Sequence, residues 1–197
     1  MKTRFAYVLA LALSVLVQAA EMPSPATSAS MPSTATEAMP GLKVGEKAAD
    51  FTLKNTAGEE VALQTLLKTG NVALAFVRSA DWCPFCRRQL QDLQKNLQEI
   101  EGAGVQLVAI SYDSPTTNAA ATAKLGLTFP LLSDTGSKVI DAYGIRNQEA
   151  TGRTAGIPHP VLFILDQKGT IRVKLMRDGY RERPESSEIV AGAKSIM

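Results

Sequence analysis

The sequence predicts an α/β sandwich with a mixed central sheet flanked by helices and an N-terminal hairpin. Three observations carry that expectation. First, "NVALAFV" (Asn71–Val77) and "VQLVAIS" (Val105–Ser111) are continuous apolar runs, the pattern of parallel strands covered on both faces. Second, "PFCRRQLQDLQKNLQEIEG" between them places Cys86, Leu90, Leu93, Leu97 and Ile100 on one helical stripe. Third, "VLFILDQKGTIRVKLM" (Val161–Met176) pairs two apolar runs around a turn at Gln167–Lys168–Gly169, an antiparallel hairpin. Strand, helix and strand in the first two form a parallel crossover.

The other elements fill in around these. "DFTLKNTAGEEVAL" alternates apolar and polar residues on both sides of a glycine turn, setting Phe51 and Leu53 opposite Val61 and Leu63. "PTTNAAATAKLG" reads as a second helix, "FPLLSD" as a short strand and "GSKVIDAYGI" as a helical turn. "RPESSEIVAGAKSI" closes the chain as a helix. No internal repeat is present.

Ahead of this domain, residues 1–20 have a basic start, "MKTR", an apolar run, "FAYVLALALSVLV", and a small-residue end, "VQAA". That is the layout of a cleavable signal peptide, with an uncleaved anchor as the alternative. The run is shorter than the roughly 20 residues of a spanning helix. It ends without a cysteine for lipid attachment. The expectation is export, to the periplasm, and no membrane span in the mature protein. Residues 21–40, rich in Pro, Ser, Thr and Ala, cannot bury enough surface to fold and read as a disordered tether. Residues 41–197 are the right size for one domain with its own core. Losing Lys2 and Arg4 leaves 19 basic against 19 acidic side chains, so no charge excess points to nucleic acid.

Both cysteines of the chain lie in "SADWCPFCRRQL". Pro84 suits the first helical position, where its missing N–H costs nothing. Cys83 then sits at a helix N-terminus, where unpaired N–H groups and the macrodipole favour a thiolate, the nucleophilic form. Arg87 and Arg88 add positive charge one turn on. Cys86 falls on the Leu90/Leu93 stripe and faces inward. An exposed attacking thiol at Cys83 and a sheltered resolving thiol at Cys86 are the expectation. A structural disulfide closing so short a loop would stabilise little. A zinc site needs about four ligands, and only His159 remains to join the cysteines. A redox-active dithiol is the reading that remains, with no cofactor and no bound metal.

Together, "GLKVGEKAADFTL", "WCPFC", "SYDSP", "LTFPLLSD", "YGI" and "HPVLFILDQKGTIR" resemble the thioredoxin-like redoxins of the alkyl hydroperoxide reductase and thiol-specific antioxidant superfamily. The resemblance runs from about Leu42 to Met176 and implies a thioredoxin-like fold. It departs from true peroxiredoxins, which carry a proline and a threonine seven and three residues before the peroxide-attacking cysteine. Counted from Cys83, those positions are Phe76 and Ala80; counted from Cys86, they are Ser79 and Cys83. The arginine that peroxiredoxins place before the late strand aligns with Pro160, where thioredoxins have a cis proline against the dithiol. The buried acid that thioredoxins keep behind their dithiol has no counterpart in "VALAFV".

What the resemblance implies is a thiol–disulfide oxidoreductase, with Trp82, Pro84, Phe85, His159 and Pro160 meeting the substrate. His159, the only histidine, faces the dithiol in such folds, where a partly protonated imidazole favours the Cys83 thiolate. Arg78 and Asp81 read as solvated loop charges. The alternative activity is an antioxidant peroxidase acting on hydroperoxides. A third reading, a copper-binding carrier using both thiolates and His159, has the donors that suit cuprous ion, but copper-insertion redoxins space their cysteines by three residues rather than two. Substrates are protein or small-molecule disulfides or hydroperoxides, and an external thiol supplies electrons.

Overall fold

The computed structural model describes residues 39–179 and 181–197. The expectations of a signal peptide over 1–20 and a tether over 21–40 therefore fall outside the described residues, apart from Met39 and Pro40. No described helix is long and apolar enough to cross a membrane.

The domain opens with β1 (Thr52–Lys54) and β2 (Glu60–Ala62), antiparallel with Leu53 opposite Val61. Leu63 N–H then bonds Phe51 O at 3.0 Å. Leu63 also begins a helix that the alternation concealed, α1 (Leu63–Thr69), which buries Leu63 and Leu67. Next come β3 (Asn71–Phe76), α2 (Pro84–Lys95), α3 (Leu97–Gly102) and β4 (Val105–Ser111). The expected single helix over 84–102 is thus two. Asn96 turns its side-chain amide back onto Asp92 O at 2.9 Å, a local bond that competes with the helical backbone. The chain leaves helical geometry there, at φ −102° and ψ 11°.

The second half holds α4 (Pro115–Leu125), β5 (Leu131–Ser133), α5 (Lys138–Ala142), β6 (Val161–Leu165), β7 (Ile171–Met176) and α6 (Ser186–Lys194). Ser114 caps α4 through Thr117 N–H, and Gly126 ends it in the left-handed conformation. All strands join one seven-stranded mixed sheet of order β2-β1-β5-β4-β3-β6-β7. The hairpin expected at the N-terminus is part of that sheet, since Lys54 pairs with Ser133.

The two central strands explain the unbroken apolar runs. β3 sends Ala73 and Ala75 to one face, with α2, α3 and α6, and Val72, Leu74 and Phe76 to the other, with α1 and α5. Both faces of β3 are covered, so its run is apolar from Val72 to Phe76.

The same register builds the site. β3 runs parallel to β4, with Phe76 beside Ile110, and antiparallel to β6, with Phe76 beside Val161. Residues following Phe76 are therefore flanked by those following Ile110 and those preceding Val161. Arg78 to Cys83, Ser111 to Asp113 and His159–Pro160 meet at the carboxyl ends of β3 and β4. That is where open α/β sheets place their ligands.

Candidate active site: a buried disulfide between two arginines

Cys83 is the N-cap of α2 and Pro84 occupies the first turn, as the sequence requires. The two cysteines form a disulfide, with Cα atoms 5.3 Å apart. Cys83 Sγ also accepts the backbone N–H of Cys86 at 3.2 Å. This is the contact by which a helix N-terminus stabilises a thiolate after reduction.

The expected contrast between an exposed Cys83 and a sheltered Cys86 is corrected, because both are fully buried. Both cysteines belong to the buried cluster that also holds Ala75, Val77 and Leu90. The charge also comes from unexpected residues. Arg78 is not a solvated loop cation but only 1% exposed, and its Nη2 lies 3.6 Å from Cys83 Sγ. Arg183, far along the chain, places its Nη2 3.6 Å from Cys86 Sγ. Arg87 is half-buried and Arg88 exposed on α2, and the two sulfur contacts come instead from Arg78 and Arg183. Asp81 is exposed, as expected.

A buried acid is present, though not on the strand where it was sought. Asp113, just beyond β4, accepts the Ala80 N–H at 2.8 Å and also bonds Ser79. Ser79 Oγ in turn accepts the N–H groups of Asp81 and Trp82, at 3.1 and 3.2 Å. Asp113 thereby fixes the loop that delivers Cys83. Burial raises its pKa, against the hydrogen bonds from Ala80, Ser79 and Ser111.

The expected substrate-contacting residues do not line one pocket. Phe85 faces a cavity of about 500 Å³ shared with Gln89, Arg181, Arg183 and Ser186; the Arg181 guanidinium lies 5.9 Å from the Phe85 ring centre. His159 and Pro160 line a second cavity of about 680 Å³, with Arg78, Asn147 and Met176. Each sulfur contact is thus made by an arginine that also walls a different cavity. Trp82 is half-buried against the core and donates from Nε1 to Tyr112 Oη at 3.0 Å. Tyr112 Oη in turn donates to Arg153 O at 3.0 Å. Pro84 is exposed.

Two expectations about the His159–Pro160 pair are also corrected. Every described peptide bond is trans, the ordinary state of an X–Pro bond. His159 N–H is held by Ile145 O at 2.7 Å, and Pro158 bridges to Arg146, so the chain enters β6 already extended. Nor does the site favour a protonated His159. Burial lowers its pKa, with Arg78 adding to the effect and Glu149 opposing it. Among the described residues no three His, Cys, Asp or Glu side chains group as a metal site.

Arg78 gave one sequence signal, a cation directly after a buried strand. Arg183, Gln89 and Asp113 gave none, since only the fold brings them to the cysteines.

A disulfide-forming pair with two residues between its cysteines, at a strand-to-helix turn on a mixed sheet covered by helices, defines a thioredoxin-like redoxin. The chain belongs to the AhpC/TSA family, whose profile matches residues 44–174. It is 32% identical over 142 residues to the thiol-disulfide oxidoreductase ResA of Halalkalibacterium halodurans, covering 72% of each chain. It is 35% identical over 138 residues to alkyl hydroperoxide reductase E of Mycobacterium bovis, covering 69% of this chain and 86% of that one. The crystal structure of peroxidoxin BcpB from Mycobacterium tuberculosis shares the fold, with a TM-score of 0.70 at 22% identity, over 79% of this chain and 99% of that one. The protein is accordingly an oxidoreductase of thiol chemistry.

Proposed function

We propose that the protein is an exported thiol–disulfide oxidoreductase in which Cys83 attacks and Cys86 resolves. The observation that carries this reading is the placement of Cys83 Sγ, which receives the Cys86 N–H at the start of α2 and the Arg78 guanidinium. Both contacts favour its thiolate, the attacking form. The thiolate of Cys83 displaces one sulfur of a substrate disulfide, giving a mixed disulfide and a substrate thiolate. Cys86 then attacks Cys83 Sγ and releases the second substrate thiolate, leaving Cys83–Cys86 oxidised. Two electrons pass to the substrate, and an external thiol restores them. Trp82, Pro84, Phe85, His159 and Pro160 are the residues we assign to substrate contact. Export to the periplasm rests on the character of residues 1–20.

A second reading, peroxidase activity, is favoured by one observation. The sequence has Pro160 where peroxiredoxins have their arginine, yet Arg78 brings a guanidinium to Cys83 from just beyond the neighbouring strand β3. In that reaction the Cys83 thiolate takes the terminal peroxide oxygen, an alcohol or water leaves, and Cys86 condenses with the sulfenic acid to release water.

Stopped-flow fluorescence of Trp82, the only tryptophan, separates the two. The reduced protein is mixed with hydrogen peroxide and, separately, with a protein disulfide. Rapid exchange with the disulfide and slow reaction with peroxide is expected. Oxidation by peroxide far faster than that of an ordinary thiol would replace the first reading with the second.

A further inference from the structure

The resolving cysteine must ionise to act, and no carboxylate on the strand behind it takes its proton. A charged group that does reach Cys86 Sγ is Arg183 Nη2, at 3.6 Å. Arg183 is not a loosely held surface cation. Its Nε donates to Gln89 Oε1 at 3.0 Å, and Gln89 is only 7% exposed, one turn beyond Cys86 on the same face of α2. Pro184 follows Arg183, and Glu185 forms a capping box with Glu188 at the start of α6. Ser186 Oγ donates to Asp92 on α2 at 2.6 Å, tying the two helices together beside the guanidinium. Arg177 and Glu188 pair across the same connection.

We propose that Arg183 is a positioning residue for the redox reaction: it holds Cys86 as a thiolate and makes the Cys83–Cys86 disulfide a better oxidant. A cation beside a sulfur stabilises the reduced, ionised form and not the disulfide, and whatever stabilises the reduced form raises the reduction potential. With Arg78 on Cys83, each sulfur has its own guanidinium, so no general base is needed for the second step. The other charges around the cavity are directed elsewhere. Asp92 receives Ser186, Glu185 caps α6, and Arg181 lies by the Phe85 ring. Arg88 and Glu99 also line the cavity.

This inference rests on the dithiol being the redox centre, which reduction of the disulfide by dithiothreitol checks on its own. The test uses the full chain as wild type, Arg183→Gln, Arg183→Lys and Arg88→Gln. Two quantities are read: thiolate absorbance near 240 nm against pH, and the equilibrium with glutathione followed by Trp82 fluorescence. The dithiol titrates in two coupled steps. Arg183→Gln is expected to move the upper step to higher pH. It is also expected to shift the equilibrium about tenfold toward the disulfide, or roughly 30 mV lower in potential. Arg183→Lys should recover most of both shifts, and Arg88→Gln should change neither. A wild-type titration in Arg183→Gln would overturn the proposal. So would a lysine variant as shifted as the glutamine variant, or an Arg88→Gln shift of equal size. Should Arg183→Gln not fold, Gln89→Met removes the orienting bond and keeps the charge. It should then shift both quantities the same way by a smaller factor, and no shift overturns the proposal.

Discussion

Arg78 Nη2 stands 3.6 Å from Cys83 Sγ, with the guanidinium almost wholly withdrawn from water. A contact of this kind favours the thiolate over the thiol, and each pKa unit corresponds to about 1.4 kcal/mol. Arg78→Gln is expected to raise the Cys83 pKa by about one unit, so that at pH below that pKa the attacking step slows by up to roughly tenfold. Arg78→Lys, which keeps a charge but not the planar fork, should fall between. Alkylation rate against pH measures both.

Asp113 and Ala80 make the corresponding structural bond. Asp113→Ala leaves the buried Ala80 N–H without its acceptor, at an expected cost of about 1–3 kcal/mol, read from the urea midpoint. Burial raises the Asp113 pKa above 3.8, so between that value and its folded pKa the native state holds more protons than the unfolded one. Stability should fall as pH rises through that window, and Asp113→Asn should remove that slope.

His159 has the opposite sign. Its pKa is lowered below the ordinary 6.5, so the unfolded chain binds the proton more readily. Its contribution is nil above pH 6.5 and becomes destabilising as pH falls from there through the folded pKa. His159→Gln should flatten the loss of stability between neutral and mildly acid pH, measured by thermal unfolding across a pH series. Because burial disfavours the charged imidazole, the same variant should leave the alkylation rate of Cys83 within about twofold, a margin equal to a few tenths of a pKa unit.

Trp82 and Tyr112 form the pair that reports on the site. Tyr112→Phe removes the partner of the indole N–H and also the bond to Arg153 O, with an expected loss of about 1 kcal/mol for each bond. The Trp82 emission maximum should move, while the rate of dithiol oxidation stays close to wild type. A large fall in that rate would mean that Tyr112 also shapes the path to Cys83.

Residues 71–77 and 105–111 announced β3 and β4 because strands covered on both faces carry apolar residues at successive positions, Gln106, whose amide donates to Leu66 O, being the exception inside β4. The stripe from Cys86 to Ile100 announced the helix, but not its interruption. Asn96 breaks it through a bond to Asp92, and apolar periodicity carries no information about such bonds. α1 went unread because Leu63 serves both as the partner of Phe51 and as the first residue of a helix.

The sequence by itself determined the fold class, the helix-start position of Cys83 and its pairing with Cys86. These follow from local patterns: apolar period, a proline at the first turn, and two thiols one turn apart. Tertiary structure alone decided what surrounds the sulfurs. Phe76 lies between Ile110 and Val161 in the sheet, which carries Asp113 to the loop and Arg78 to the cavity of His159. α6 packs against the core through Ile189, Val190 and Ala193, which returns Arg183 to Cys86 across 97 residues of chain. Charge acts on a thiol through distance in space, and distance along the chain does not encode it.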